Sequence, residues 1–240
     1  MELKGFQTVD SKPGLYHPGL DSLIISDIHL GLESSMTSRG SYVPRFQLEE
    51  IKEDIREMKD ETCAERILVN GDLKNEFTTS YSEKKEISDL LEFLKEEFED
   101  VILVKGNHDT MIEETVEEQG LRLLDSYRED GVLFAHGHEE IEEEFETVVI
   151  GHEHPALALE DEIGTREKVN CFLYGETEKG KSIVVLPAFS KISNGTNVNE
   201  VPSRELLSPV LRNRIDKSTL KAVAVDREAG IFKFPELGQI

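Results

Sequence analysis

The sequence predicts an α/β protein in which a parallel, helix-covered sheet is followed by a second, antiparallel sheet. Three observations predict it. Short apolar runs alternate with amphipathic stretches through the first half of the chain. Later apolar runs follow one another across mostly short turns. Five of the runs end in a short segment of His, Asp or Asn, and in open α/β sheets the loops at the carboxyl ends of strands converge on one crevice.

The elements follow in order. Ser22-Leu23-Ile24-Ile25-Ser26 reads as the first strand. Leu48, Ile51, Ile55 and Met58 recur at helical spacing, and Pro44 suits the start of that helix. Ile67-Leu68-Val69 is the next strand, and Ile87, Leu90, Leu91 and Leu94 mark a second amphipathic helix. Val101–Val104 completes a βαβαβ rhythm. Val132–Ala135 and Val148–Ile150 are further strands, with a short solvated helix expected over the acidic stretch Glu139–Glu146 between them. Strands are expected at Asn170–Tyr174, Ser182–Leu186 and Ala222–Val225. Ser193–Ser218, rich in Asn, Ser, Pro and Arg, reads as loop with one helical turn.

The chain has 240 residues, enough for one α/β domain with a real core. Its formal net charge is −23, which repels polyanions at long range and argues against non-specific DNA binding. Trp is absent and aromatics are sparse, so base stacking has little support. Cys63 and Cys171 read as reduced and structural. With no basic-then-apolar leader and no membrane-length apolar run, a cytoplasmic protein is expected.

Six of the seven histidines fall within or beside the strand-end segments. These read Asp27-Ile28-His29, Gly71-Asp72, Gly106-Asn107-His108-Asp109, His136-Gly137-His138 and Gly151-His152-Glu153-His154. His, Asp and Asn are ligands for borderline divalent metals. On an extended segment Asp27 and His29 point the same way and can hold one ion. Asp72 could bridge two ions, Asn107 offers a carbonyl oxygen, and His136, His152 and His154 supply imidazoles. His152 and His154 could serve different metals. Two ions bring about four positive charges and Asp27 and Asp72 remove about two, which leaves a pocket that attracts phosphate. Such a pair can hold a bridging hydroxide and stabilise an in-line displacement. His108 is expected to touch the phosphoryl oxygen or protonate the leaving oxygen, with Asp109 accepting from its other ring nitrogen. Arg39 and Arg45 could reach a substrate phosphate, although a surface or helix-start cation is the commoner role. His138 is either a support for the ligands, an alternative ligand or a simple structural contact. His17, in Tyr16-His17-Pro18-Gly19, reads as a turn residue.

Together these motifs resemble the calcineurin-like metallophosphoesterase superfamily, over roughly Ser22 to Pro155. Further stretches resemble its archaeal, SbcD-related branch, which includes DNA repair exonucleases. These are Asp27–Leu32 with Gly40-x-x-x-Pro44-Arg45, then Gly71–Phe77, Lys168-Val169-x-Cys171-Phe172-Leu173 and Leu186-Pro187-Ala188-Phe189. The resemblance implies two mixed β-sheets packed as a sandwich and flanked by helices. It implies a metallophosphoesterase domain over residues 1–200 and a C-terminal extension, 201–240, packed on it. Asp27, His29 and His154 would hold the first metal, Asp72 would bridge, and Asn107, His136 and His152 would hold the second. His108 would be the catalytic imidazole. Manganese is the metal implied for nuclease-like members, with iron, zinc or nickel elsewhere. Many members carry an acidic residue where this chain has Asn75, so that position is expected to tune the site.

The expectation is therefore a dinuclear phosphodiesterase, nuclease-like in chemistry. Two other readings stand beside it: a phosphomonoesterase acting on small molecules or proteins, and a metal-stabilised scaffold subunit. A homodimer is expected only on general grounds.

Overall fold

The computed structural model describes residues 1–33, 36, 46–76, 81–160, 164–177, 179–193 and 195–240. Three short strands open the chain: β1 (Glu2–Leu3), β2 (Phe6–Thr8) and β3 (Leu15–His17). They form an antiparallel meander that pairs with β4 (Ser22–Ile25). Strands of two or three residues carry no readable periodicity, so the sequence reading did not find them. From β4 the sheet turns parallel, through β5 (Arg66–Asn70) and β6 (Asp100–Val104) to β7 (Leu123–Leu124). The crossovers carry α1 (Gln47–Thr62), α2 (Tyr81–Glu97) and the short α3 (Glu113–Glu118). The expected βαβαβ unit is thus the centre of a seven-stranded sheet.

The second sheet has nine strands. They are β8 (Ser126–Glu129), β9 (Val132–Ala135), β10 (Thr147–Ile150), β11 (Pro155–Glu160), β12 (Arg166–Glu176), β13 (Ser182–Val185), β14 (Thr196–Asn197), β15 (Lys221–Asp226) and β16 (Gly230–Glu236). It is mixed, not antiparallel as the turn lengths suggested: β10 runs parallel to both β9 and β13. Parallel neighbours need a long connection, and the acidic stretch Glu139–Glu146 supplies part of the one from β9 to β10. That stretch is not the expected helix. Glutamates packed at helical neighbour spacings repel one another, and the segment is held by burying Ile141 and Phe145.

Alternation along the strands explains the layering. Leu23 and Ile25 enter a core under the helices, while Ile24 between them faces the second sheet. Ile67 and Val69 flank Leu68 in the same way. In the second sheet Val149, Val184, Phe172 and Val223 face inward, while Val148, Ile183, Leu173 and Ala222 face the opposite side. Strands buried on both faces read as continuous apolar runs, which is why these segments were visible as strands. Each buried Leu, Ile, Val or Phe contributes about 1.5–3 kcal/mol.

The two outer covers differ. Ile51, Ile55 and Met58 of α1 and Ile87, Leu90, Leu91 and Leu94 of α2 cover the first sheet. The start of α1 has no side-chain cap of its own, but the buried Glu33 accepts from Phe46 N–H (3.0 Å) and Gln47 N–H (2.9 Å), so a negative charge meets the helix N-terminus. Pro44, expected at that start, lies outside the described residues. Over the second sheet the cover is mostly irregular chain. Leu206, Ile215 and Leu220 pack there with Val210 and Leu211 of the short α4 (Pro209–Asn213). Among the described residues no helix is long and apolar enough to cross a membrane. Both cysteines are free, Cys63 exposed and Cys171 buried in the second sheet.

Candidate metal centre

The centre begins where the parallel strands end. Beyond β4 and β5 the chains stay side by side: Asp27 N–H donates to Gly71 O, His29 N–H to Asp72 O and Leu30 N–H to Leu73 O, at 2.9–3.0 Å. Asp27 and His29 were expected to align on extended backbone. They carry φ of 57° and 52°, in the left-handed region. Asp72, His152 and His154 share that region, at 54°, 63° and 45°. Such residues each cost of order 1–3 kcal/mol and persist only where the surroundings over-determine them. Gly71 is required as well. Its φ is +92°, and a Cβ there would lie 2.2 Å from His136 Nδ1.

Two groups of ligand atoms result. Asp27, His29 and His154 form one; Asp72, His136 and His152 form the other; within each, the atoms lie within 4.8 Å of one another. Asp72 Oδ2 faces both groups, 3.8 Å from His29 Nε2 and 3.3 Å from His136 Nε2. Asn107 Oδ1 lies 3.1 Å from His136 Nε2. The Gly151–His154 loop gives one imidazole to each group.

The surroundings aim these atoms. His136 Nδ1 donates to the Asn70 carbonyl at 3.1 Å, and His154 Nδ1 meets Ser193 Oγ at 3.1 Å. Both contacts turn Nε2 inward, as metal-ligating imidazoles require. Ser26 Oγ lies 2.7 Å from Asp27 Oδ2 and 2.8 Å from Asn70 O, either of which can accept its one proton. Asn70 Nδ2 donates across to Ala135 O and Val149 O, locking the first sheet to the second. His152 N–H donates to both Asp27 oxygens, at 3.2 and 3.1 Å.

The electrostatics ask for positive charge. Burial favours a neutral Asp27, yet His154, His136 and His29 hold its carboxyl well below the usual range. Burial depresses His136, but Asp72 and Asp27 overcome it and push the imidazole up to about 9. Burial lowers His29 and His152 to about 4. His29 Nε2 and His154 Nε2 sit 3.1 Å apart with Asp27 Oδ1 3.0 Å from the latter. Converging imidazole nitrogens and carboxylate oxygens, nearly all buried, fit a pair of borderline divalent cations.

His108 and Asp109 part company. His108 is half-buried, its ring edge-on to His29 at 5.4 Å between centroids, and its backbone N–H donates to Asp72 Oδ1 at 2.9 Å. Asp109 does not accept from that ring, which corrects the expectation. It is wholly buried, and its oxygens accept from the N–H groups of Leu73 (2.8 Å), Lys74 (3.3 Å) and Gly106 (2.8 Å). The turn from Gly106 to Asp109 sends its side chain beneath the site. Burial and nearby Asp72 push its carboxyl up to about 6. His108 Nδ1 instead donates to the Asn75 carbonyl, which gives Asn75 a backbone role whatever its side chain. His138 stands beside the second group, 5.3 Å from the His136 ring and 6.0 Å from His152. His17 ends β3, where its Nδ1 accepts from Leu20 N–H and its ring packs edge-on to Phe6. Arg39 and Arg45 lie outside the described residues.

Sequence reasoning missed Ser26, Asn70, Glu153 and Ser193. Ser26 and Asn70 had a signal, a polar residue closing an apolar run just before a ligand. Glu153 and Ser193 had none.

This fold, with its two groups of candidate metal ligands, is that of a metallophosphoesterase. A sequence model of the calcineurin-like phosphoesterase family matches residues 21–156, more than half of the chain, and the chain belongs to that family. No curated protein sequence matches the chain. Among solved structures the fold is similar to that of the nuclease MPE of Pseudomonas putida, at 18% identity over 98% of both chains with a TM-score of 0.66. The phosphoesterase YfcE of E. coli is also similar, at 18% identity over 90% of this chain and 98% of its own, with a TM-score of 0.43.

Proposed function

We propose that the protein is a metal-dependent phosphodiesterase, nuclease-like in its chemistry and related to the archaeal SbcD branch of its family. The observation that carries this reading is the shared carboxylate: Asp72 Oδ2 faces His29 of one group and His136 of the other. In this reading Asp27, His29 and His154 would hold one divalent ion and Asn107, His136 and His152 the other, with Asp72 available to both. Manganese is the metal proposed, in a domain of residues 1–200 with 201–240 as an extension upon it. The two free cysteines suit a reducing cytoplasm.

When bound, two such ions make hydroxide available near neutral pH and neutralise charge on the phosphate. The chain's own groups do the rest. Asp72 and Asp27 fix the positions of the ligand imidazoles. His108, steadied by the Asn75 carbonyl at Nδ1, carries a proton on Nε2 for the leaving oxygen. Asn107 orients the phosphate. Asp109 acts only through the backbone that carries His108.

One observation favours a second reading. A net charge of −23 disfavours polynucleotides and suits a small phosphomonoester. The test is hydrolysis of bis-p-nitrophenyl phosphate against p-nitrophenyl phosphate by metal-stripped protein refilled with manganese. Preference for the diester, lost about 10²–10⁴-fold in His108→Ala, is expected. Preference for the monoester replaces the reading with a phosphatase. Two bound ions without hydrolysis of either substrate turns it toward a scaffold.

A further inference from the structure

The loop Gly151–His154 carries an unusual burden. His152 belongs to one ligand group and His154 to the other, so a shift of this loop disturbs both. Both residues have left-handed φ, which an L-residue does not choose unaided. The loop must be held from outside. On the cleft side it is held by His152 N–H on Asp27 and by Gly151 N–H on His136 O at 3.0 Å. His154 is held by Ser193 Oγ, and its carbonyl accepts from Thr196 N–H at 2.9 Å.

Glu153 lies between the two ligands and is completely buried. Its Oε2 accepts from two consecutive backbone N–H groups, Leu207 at 2.8 Å and Ser208 at 3.0 Å. Burying a carboxylate is costly unless it is hydrogen-bonded, so an acid spent on two amides more than fifty residues away signals a role. Those amides lead into α4, whose Val210 and Leu211 anchor them in the second sheet's outer core.

We propose that Glu153 is a positioning residue for both metals: through it, residues 206–208 clamp the Gly151–His154 loop so that His152 and His154 each reach their own group. The proposal rests on the two-metal reading above. It makes the segment just after residue 205 part of the metal centre, although no side chain of that segment is a ligand.

The test is calorimetric titration of metal-stripped, full-length protein with Mn²⁺, alongside thermal unfolding of the metal-free forms. Glu153→Ala should weaken binding at both sites by about 10–100-fold, as loss of a group orienting a metal ligand does. Glu153→Gln keeps an acceptor oxygen for the two N–H groups and should restore most of the affinity. Tight binding by Glu153→Ala, or equal loss in Glu153→Gln, would overturn the proposal. Should Glu153→Ala fail to fold, Glu153→Asp carries the test, because it keeps a carboxylate but is one methylene too short to reach both N–H groups. Weaker Mn²⁺ binding by that folded variant supports the clamp, and unchanged binding removes it. An unsubstituted chain that binds fewer than two ions would overturn the two-metal reading itself, a failure distinct from tight binding by the variants.

Discussion

The two outer faces of the molecule bury comparable cores by different means. Over the first sheet, α1 and α2 present regular apolar stripes, which meet the ligand-bearing strand ends through a polar side chain, Gln47 at the start of α1, whose Nε2 donates to the Ile28 carbonyl between Asp27 and His29 at 2.8 Å. Over the second sheet, irregular chain and one short helix do the covering, and that chain also hydrogen-bonds the loop carrying His152 and His154. The difference teaches that regularity and coupling to the site are separate properties. The apolar stripes of the helical face serve stability and meet the site at Gln47, while the irregular face holds the loop that gives one ligand to each group.

The largest expected effect tests this directly. Leu91→Ala under α2 and Leu206→Ala under the irregular cover each remove a fully buried side chain. Each should cost about 2–5 kcal/mol, read by denaturant unfolding of metal-free protein. Their metal affinities should then diverge. Leu91→Ala should bind Mn²⁺ as the unsubstituted chain does, while Leu206→Ala, one residue from the Leu207 amide, should bind more weakly. Equal affinities would erase the distinction between the faces.

The same contrast explains what was legible in the sequence. Ser22–Ser26, Ile67–Val69 and Val101–Val104 were readable because strands buried on both faces are unbroken apolar runs. The spacing of Ile51, Ile55 and Met58 was readable because a helix on a sheet needs one apolar stripe. The ligand motifs stood out because Asp and His at strand ends have few other reasons to cluster. The irregular cover was not readable: Leu206, Leu211 and Leu220 follow no period, and their partners are set by the surface beneath. The left-handed backbone at Asp27, His29 and Asp72 was not readable either: Asp and His adopt it more often than most residues, but here hydrogen bonds between adjacent loops impose it. Asp109 misled for a related reason. Its neighbour in sequence is His108, but the turn directs it to the amides of Leu73 and Lys74.

A middle-sized effect probes where the two faces meet. Asp54 of α1, nearly buried, accepts from the Arg227 guanidinium in the β15–β16 turn and pairs with Lys12 (3.1 Å) and Lys191 (3.5 Å). Burial would raise its carboxyl, but Arg227, then Lys12 and Lys191, hold it below the ordinary value of 3.8. A depressed carboxylate contributes stability that is present above its unfolded pKa and lost as pH falls through its folded one. Asp54→Asn should therefore cost about 1.5–3 kcal/mol at neutral pH. The gap between variant and parent should close as pH falls below about 4. A gap independent of pH would mean that packing, not the ionic cluster, joins α1 to the second sheet. Mn²⁺ affinity should not change, since none of these groups touches a ligand.

The smallest effect lies wholly within the helical face. α1 ends at Cys63, whose φ is 55° and whose N–H donates to Lys59 O at 2.7 Å. That is the left-handed helix terminus glycine usually fills. The thiol is exposed, so little packing is lost on its removal. Relief of left-handed strain is worth about 1–2 kcal/mol, and the added freedom of the unfolded chain takes back about 0.4–1 kcal/mol. Cys63→Gly should therefore stabilise the protein slightly, raising Tm by about 1–3 °C in a chain of this size, with Mn²⁺ binding untouched. A fall in Tm would mean that the thiol packs more usefully than its exposure suggests. A change in metal affinity would be the sharper result, because it would show that the end of α1, too, reaches the site and that the two faces are less separate than their contacts indicate.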